Sequence, residues 1–147
     1  MMAFLNSNSH ENEELRFLSF DCKNFNDDIC KLDFLQQCVQ NHDVVFLQEH
    51  WLYKSELYKL SILGKNVNVI GTSGMEEHVC RLGRPYGGCA IIWKSDLKCK
   101  TSQIMCKSNR VCGLVIDMLN GVKIVLLNVY MPCDTGAMIE IMICTEK

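Results

Sequence analysis

Three residues of this 147-residue chain stand where chemistry could be done. Glu49 follows the apolar run Val44-Val45-Phe46-Leu47. A carboxylate directly after a short buried strand lies at the rim of its sheet, where open α/β sheets place ligands. Its lone pairs suit a hard cation such as Mg²⁺. Asp21 follows a second apolar segment, Leu-Arg-Phe-Leu-Ser-Phe, at 15–20. If those two strands are parallel and adjacent, both carboxylates reach the same rim. Together they could hold a divalent ion, which neutralises and polarises a phosphodiester. Tyr130 closes a third apolar run, and its hydroxyl could bond a phosphate oxygen. The loop Arg81-Leu82-Gly83-Arg84-Pro85-Tyr86-Gly87-Gly88 joins two Arg to three Gly. Arg forks onto phosphate, and Gly lets a backbone approach closely. The loop lacks the G-x-x-x-x-G-K-[ST] order, so it is not a P-loop.

Position alone leaves a plainer reading open for each. Glu49 could be a solvated strand-end carboxylate, and Asp21 could simply start a turn. Tyr130 could be a strand-end residue with an apolar body and a wet tip. The Arg-Gly loop could be an ordinary turn before a strand. His10, His42, His50 and His78 form no catalytic pattern; His50 is notable only for adjoining Glu49.

The elements that must position these residues follow from periodicity. Asp27 or Asp28 can cap a helix whose apolar positions are Ile29, Leu32, Leu35, Cys38 and Val39. Asn41-His42-Asp43 ends it. The continuous run at 44–47 then reads as a strand buried on both faces. Strand, helix, buried strand is the beginning of an α/β layer. A short helix is expected at 54–60, a short strand at 66–70, a long Gly-rich loop at 71–88 and a strand at 89–93. Runs at 111–119 and 122–130 flank Asn120-Gly121, a strong hairpin signal. The second half therefore reads as antiparallel β. No internal repeat or low-complexity tract is present.

Composition narrows the classes. Hydrophobic residues make up 48% and charged residues 22%, which suits one globular domain. Net charge is −2, so no general attraction to polyanions is written into the chain; a polyanion site would rest on few residues, with or without a metal. No apolar run approaches membrane-spanning length. The start has neither a basic segment nor a long apolar core, so an intracellular setting with reduced thiols is expected. The ten cysteines include no C-x-x-C pair. They are expected to be free thiols, several buried as small hydrophobes, rather than a metal or disulfide framework.

Four segments occur in an order that carries a resemblance: Leu18-Ser19-Phe20-Asp21-Cys22; Val45-Phe46-Leu47-Gln48-Glu49-His50-Trp51-Leu52; Gly83-Arg84-Pro85-Tyr86-Gly87-Gly88-Cys89-Ala90-Ile91; and Leu127-Asn128-Val129-Tyr130-Met131-Pro132-Cys133-Asp134. Together they resemble the endonuclease/exonuclease/phosphatase superfamily, and within it the apurinic-type endonuclease domain of non-LTR retrotransposons. The resemblance covers about residues 15–135. It implies a four-layer α/β sandwich, two packed β-sheets flanked by helices, and phosphodiester hydrolysis with Mg²⁺ or Mn²⁺. It places Glu49 on the family's metal-binding Glu and Tyr130 on the Tyr that contacts the scissile phosphate. Asp21 falls where the family usually has Asn near the metal; it keeps an oxygen ligand, loses an amide donor and adds a negative charge. Arg84 and Arg81 become candidates for phosphate or DNA contact. A nuclear setting and DNA as partner are implied the same way.

Two parts of the family pattern have no counterpart here. The Gly-Asp-Phe-Asn-type motif expected after the Tyr strand is absent, as is the Ser-Asp-His-type motif beyond it, so the Asp and His of the catalytic pair are not supplied. The reverse transcriptase that usually follows is absent too. The sequence is therefore expected to comprise a flexible leader at 1–14, a partial domain at 15–134 lacking its C-terminal part, and a divergent tail at 135–147. Little nuclease activity is expected of it alone. The alternatives are a noncatalytic DNA- or protein-binding remnant of the same fold and a phosphatase acting on lipid or inositol phosphates. The Gly83–Gly88 and Tyr130–Asp134 strings favour the retroelement branch over the phosphatase.

Overall fold

A computed structural model describes residues 14–26, 28–79 and 83–131. The leader (save Glu14), Arg81, and the segment from Pro132 through the tail lie outside the described residues. β1 (Phe17–Asp21) leads into α1 (Ile29–Asn41), which returns the chain to β2 (Val44–Gln48). The Asp28 carboxylate caps α1 by accepting from the Cys30 N–H at 3.1 Å. β1 and β2 pair in parallel, with Asp21 opposite Gln48.

A 3₁₀ helix spans Lys54–Leu63, longer than the short helix expected there. Leu57, Leu60 and Leu63 recur every third residue, and a helix of three residues per turn stacks them along one stripe. Leu60 and Leu63 are fully buried by it. β3 (Val67–Thr72) runs two residues beyond the short strand expected at 66–70, taking in Gly71 and Thr72. β4 (Cys89–Lys94) inserts between β2 and β3, antiparallel to both, so the first sheet has the order β1-β2-β4-β3.

The second sheet is β5-β6-β7, all antiparallel: β5 (Cys99–Ile104), β6 (Val111–Met118) and β7 (Lys123–Val129). β5 was not expected. Its Lys-Thr-Ser-Gln stretch carries no apolar signal, and pairing with β6 makes it a strand. The β6–β7 hairpin is as expected. Only Gly121 takes a positive φ (83°), and its N–H donates to the Met118 carbonyl at 2.9 Å. The turn therefore closes on one left-handed glycine, with Asn120 outside that region.

The central strands explain the apolar runs. Val45, Leu47, Ala90 and Ile92 pack toward Leu35, Val39, Leu60 and Leu63 of the helical layer. Val44, Cys89, Ile91 and Trp93 face the other way, onto Cys112, Leu114 and Ile116 of the second sheet. Both faces of β2 and β4 are thus buried, which period-two alternation cannot satisfy. The result is two packed β-sheets with helices on the outer face of the first, in agreement with the expected α/β sandwich. On the outer face of the second sheet, Val125 and Leu127 are 60% and 38% exposed.

Candidate active site

The segment carrying Glu49 is held from both sides by main chain. The Asn24 and Phe25 N–H groups donate to the carbonyls of Glu49 and His50, at 2.8 and 3.0 Å. On the other side Glu49 and Trp51 donate to the carbonyls of Gly88 and Gly87, at 2.9 and 3.1 Å. Glu49 and Trp51 both adopt left-handed backbone, φ 57° and 58°. That conformation is disfavoured for side chains of this kind and persists only where surrounding contacts enforce it.

His50 is the anchor beneath. It is fully buried, accepts from the Leu52 N–H at Nδ1 (3.0 Å), and its Nε2 bonds the Thr72 carbonyl at 3.0 Å. Those partners require the proton on Nε2. Burial lowers its pKa to about 4, against smaller upward effects of its backbone bonds and of Glu49. His50 is structural. Gly88, φ 90°, lies flat against the ring; a Cβ there would come 2.3 Å from His50 Cε1. This contact accounts for the second glycine of the pair.

Above this floor the Glu49 carboxylate gathers three hydrogen-bond donors. Tyr130 donates its hydroxyl to Oε1, Trp51 its indole N–H to Oε2, and the Gly87 N–H reaches Oε2 at 3.1 Å. Burial pushes the carboxyl's pKa up, but these hydrogen bonds and the charge of Arg84 outweigh it, and the net shift is downward. Glu49 is thus fixed as a carboxylate. The Arg84 guanidinium sits 5.7 Å over the Trp51 ring and that of Arg110 5.8 Å over the Tyr130 ring.

Tyr130 comes from the other sheet. Asn128, two residues before it and buried, locks the sheets together. Its Nδ2 donates to the carbonyls of Leu47 (2.9 Å) and Ala90 (2.7 Å), and its Oδ1 accepts from Gln48 Nε2 (2.5 Å). Asp21 lies on the same rim, ending the strand paired with β2. Its Oδ1 accepts from the Lys23 N–H at 3.2 Å, so it also starts the turn. The charges of Asp21 and Glu49 both bear on the intervening Cys22 thiol, which burial, the largest influence, pushes up to about 12.

The structure therefore brings Glu49, Tyr130 and Arg84 together, with Asp21 at the end of neighbouring β1, opposite Gln48. Sequence reasoning missed Trp51, Gln48, Asn128 and Arg110. Trp51 was visible as the aromatic two residues after Glu49. Arg110 gave no signal, because only the pairing of Val111 with Val129 sets it beside Tyr130. The other described histidines stand elsewhere: His42 Nδ1 bonds the Cys38 carbonyl at 2.8 Å, and His78 is exposed. Seven described cysteines are free thiols.

A family model described as the Endonuclease/Exonuclease/phosphatase family matches residues 18–137. The chain belongs to this family. Among curated proteins none matches. Among solved structures, the AP endonuclease LMAP from Leishmania major is similar, with a TM-score of 0.57 at 17% identity over 79% of this chain. At that identity the likeness speaks for the fold. This chain spans 40% of that protein's length.

Family members typically use a divalent metal, and the donor chemistry here fits one. Mg²⁺ is commonly bound through one or two carboxylates, with water and phosphate oxygens completing the shell. Glu49, ionised and oriented by three hydrogen bonds, and Asp21 on the same rim are oxygen donors of that kind. Among the described residues no group of three or more His, Cys, Asp or Glu could form an all-protein cage.

Proposed function

We propose that this chain is the metal-binding part of a retroelement-type, Mg²⁺- or Mn²⁺-dependent DNA endonuclease domain, acting on phosphodiesters in a nuclear setting. The observation that carries the reading is the Glu49 carboxylate, held between Tyr130 and Trp51 at the junction of the two sheets. Glu49 and Asp21 would hold the ion, which when bound supplies charge neutralisation at a phosphoryl oxygen. Tyr130, positioned by its bond to Glu49, would contact the scissile phosphate, and Arg84 would bond a phosphate oxygen with its N–H edge.

Hydrolysis also needs a group that takes a proton from water. Among the described residues no histidine meets this site; His50 is committed to the fold. Loss of one partner in a catalytic unit typically costs several powers of ten in rate. That observation favours a second reading, a noncatalytic DNA-binding remnant of the same fold.

One pair of measurements separates them. A supercoiled plasmid is incubated with the chain and Mg²⁺, and duplex binding is measured in parallel, for the wild type and Glu49→Ala. Metal-stimulated binding that depends on Glu49, with nicking at background, is the expected result. Glu49-dependent nicking would show that the chain cuts by itself. Binding indifferent to both metal and Glu49 would remove the metal-site proposal.

A further inference from the structure

Arg110 belongs to none of the motifs that mark the site, yet its placement mirrors that of Arg84. Each guanidinium lies over an aromatic ring, at 5.7 Å over Trp51 for Arg84 and 5.8 Å over Tyr130 for Arg110. Each of those rings donates its own proton to Glu49, one to each carboxylate oxygen. Two cations therefore flank one carboxylate through two rigid aromatic supports. A guanidinium held over an aromatic ring by a cation–π contact, with no carboxylate partner, keeps N–H donors for oxygen ligands. Among the described residues neither Arg lies within ion-pair distance of a carboxylate. The backbone of Arg110 is fixed as well, since its carbonyl accepts from the Tyr130 N–H at 2.9 Å.

We infer that Arg110 is a second phosphate contact, gripping a nucleic-acid backbone on the Tyr130 side of Glu49 as Arg84 grips it on the Trp51 side. The ligand class is a polynucleotide that presents at least two phosphates to the site, rather than a mononucleotide or a small phosphomonoester. This rests on the nucleic-acid reading above, and the experiment is chosen so that the two can fail separately.

Binding of a labelled duplex oligonucleotide in Mg²⁺ is measured by fluorescence anisotropy across a salt series. Each phosphate contact contributes about 0.9 to the slope of log affinity against log salt. Arg110→Gln is expected to weaken binding and lower the slope by about 0.9, Arg84→Gln to do the same, and the double variant to lose about 1.8. Arg110→Lys keeps the charge and should keep the slope. If Arg110→Gln melts early, Arg110→Met, which retains the stem over the ring, carries the same readout. A normal slope and affinity in Arg110→Gln, beside a reduced slope in Arg84→Gln, would overturn the role of Arg110 alone. A double variant no weaker than either single would overturn the two-phosphate geometry. A wild-type chain that binds no duplex would overturn the nucleic-acid reading and this inference with it.

Discussion

Glu49 shows how one residue acquires a role from its surroundings. Its hydrogen bonds orient the carboxylate and fix its charge, so the donors should matter to metal binding as much as to packing. Outer partners of a metal ligand typically contribute 10–100-fold in affinity. Tyr130→Phe removes one donor and little volume; Mn²⁺ affinity, read by calorimetry, is expected to fall by about tenfold. His50 sets a pH dependence of stability. Its folded-state pKa, about 4, lies below the ordinary value of 6.5, so the unfolded chain binds the proton more readily. Its contribution is fully present above about pH 6.5 and is lost as the pH falls toward 4. Melting temperature should drop across that window by an amount equivalent to about 3 kcal/mol at most, and His50→Gln should flatten the drop. Cys22, held near 12 by burial, should resist alkylation in the native protein, whereas exposed Cys30 should react.

At the scale of elements, the site is a junction. The turn after β1, the turn after β2 and the Gly87-Gly88 approach to β4 are stitched by main-chain bonds, and β7 delivers Tyr130 from the other sheet. Asn128 is the side chain that fixes β7 against β2 and β4. Asn128→Leu would leave buried carbonyls without their donor, at a cost of about 1–3 kcal/mol each. Chemical denaturation should show that loss, together with weaker metal binding, because Tyr130 would no longer be held opposite Glu49. The strands β2 and β4 and the helix α1 were legible from apolar runs and helical spacing. β5 was not, because its residues carry no periodic signal and become a strand only through β6.

At the scale of the whole molecule, the described helices cover only the first sheet, and the second keeps Val125 and Leu127 on an open face. Apolar surface of this kind favours association. Val125→Thr with Leu127→Thr should reduce concentration-dependent light scattering while leaving the melting temperature within a few degrees; unchanged scattering would show that the face takes no part. What the sequence determined by itself was the chemistry available: a carboxylate ending a doubly buried strand, a second one ending its neighbour, a Tyr closing a later run, and the motif order that carries the family. These are local facts of residue type and spacing. Only the tertiary structure decided that Tyr130 and Glu49 meet, that His50 is spent on the fold, and that Arg110 stands opposite Arg84. Those depend on sheet register and on the packing of one sheet against the other, which join residues some 80 positions apart that no local pattern connects.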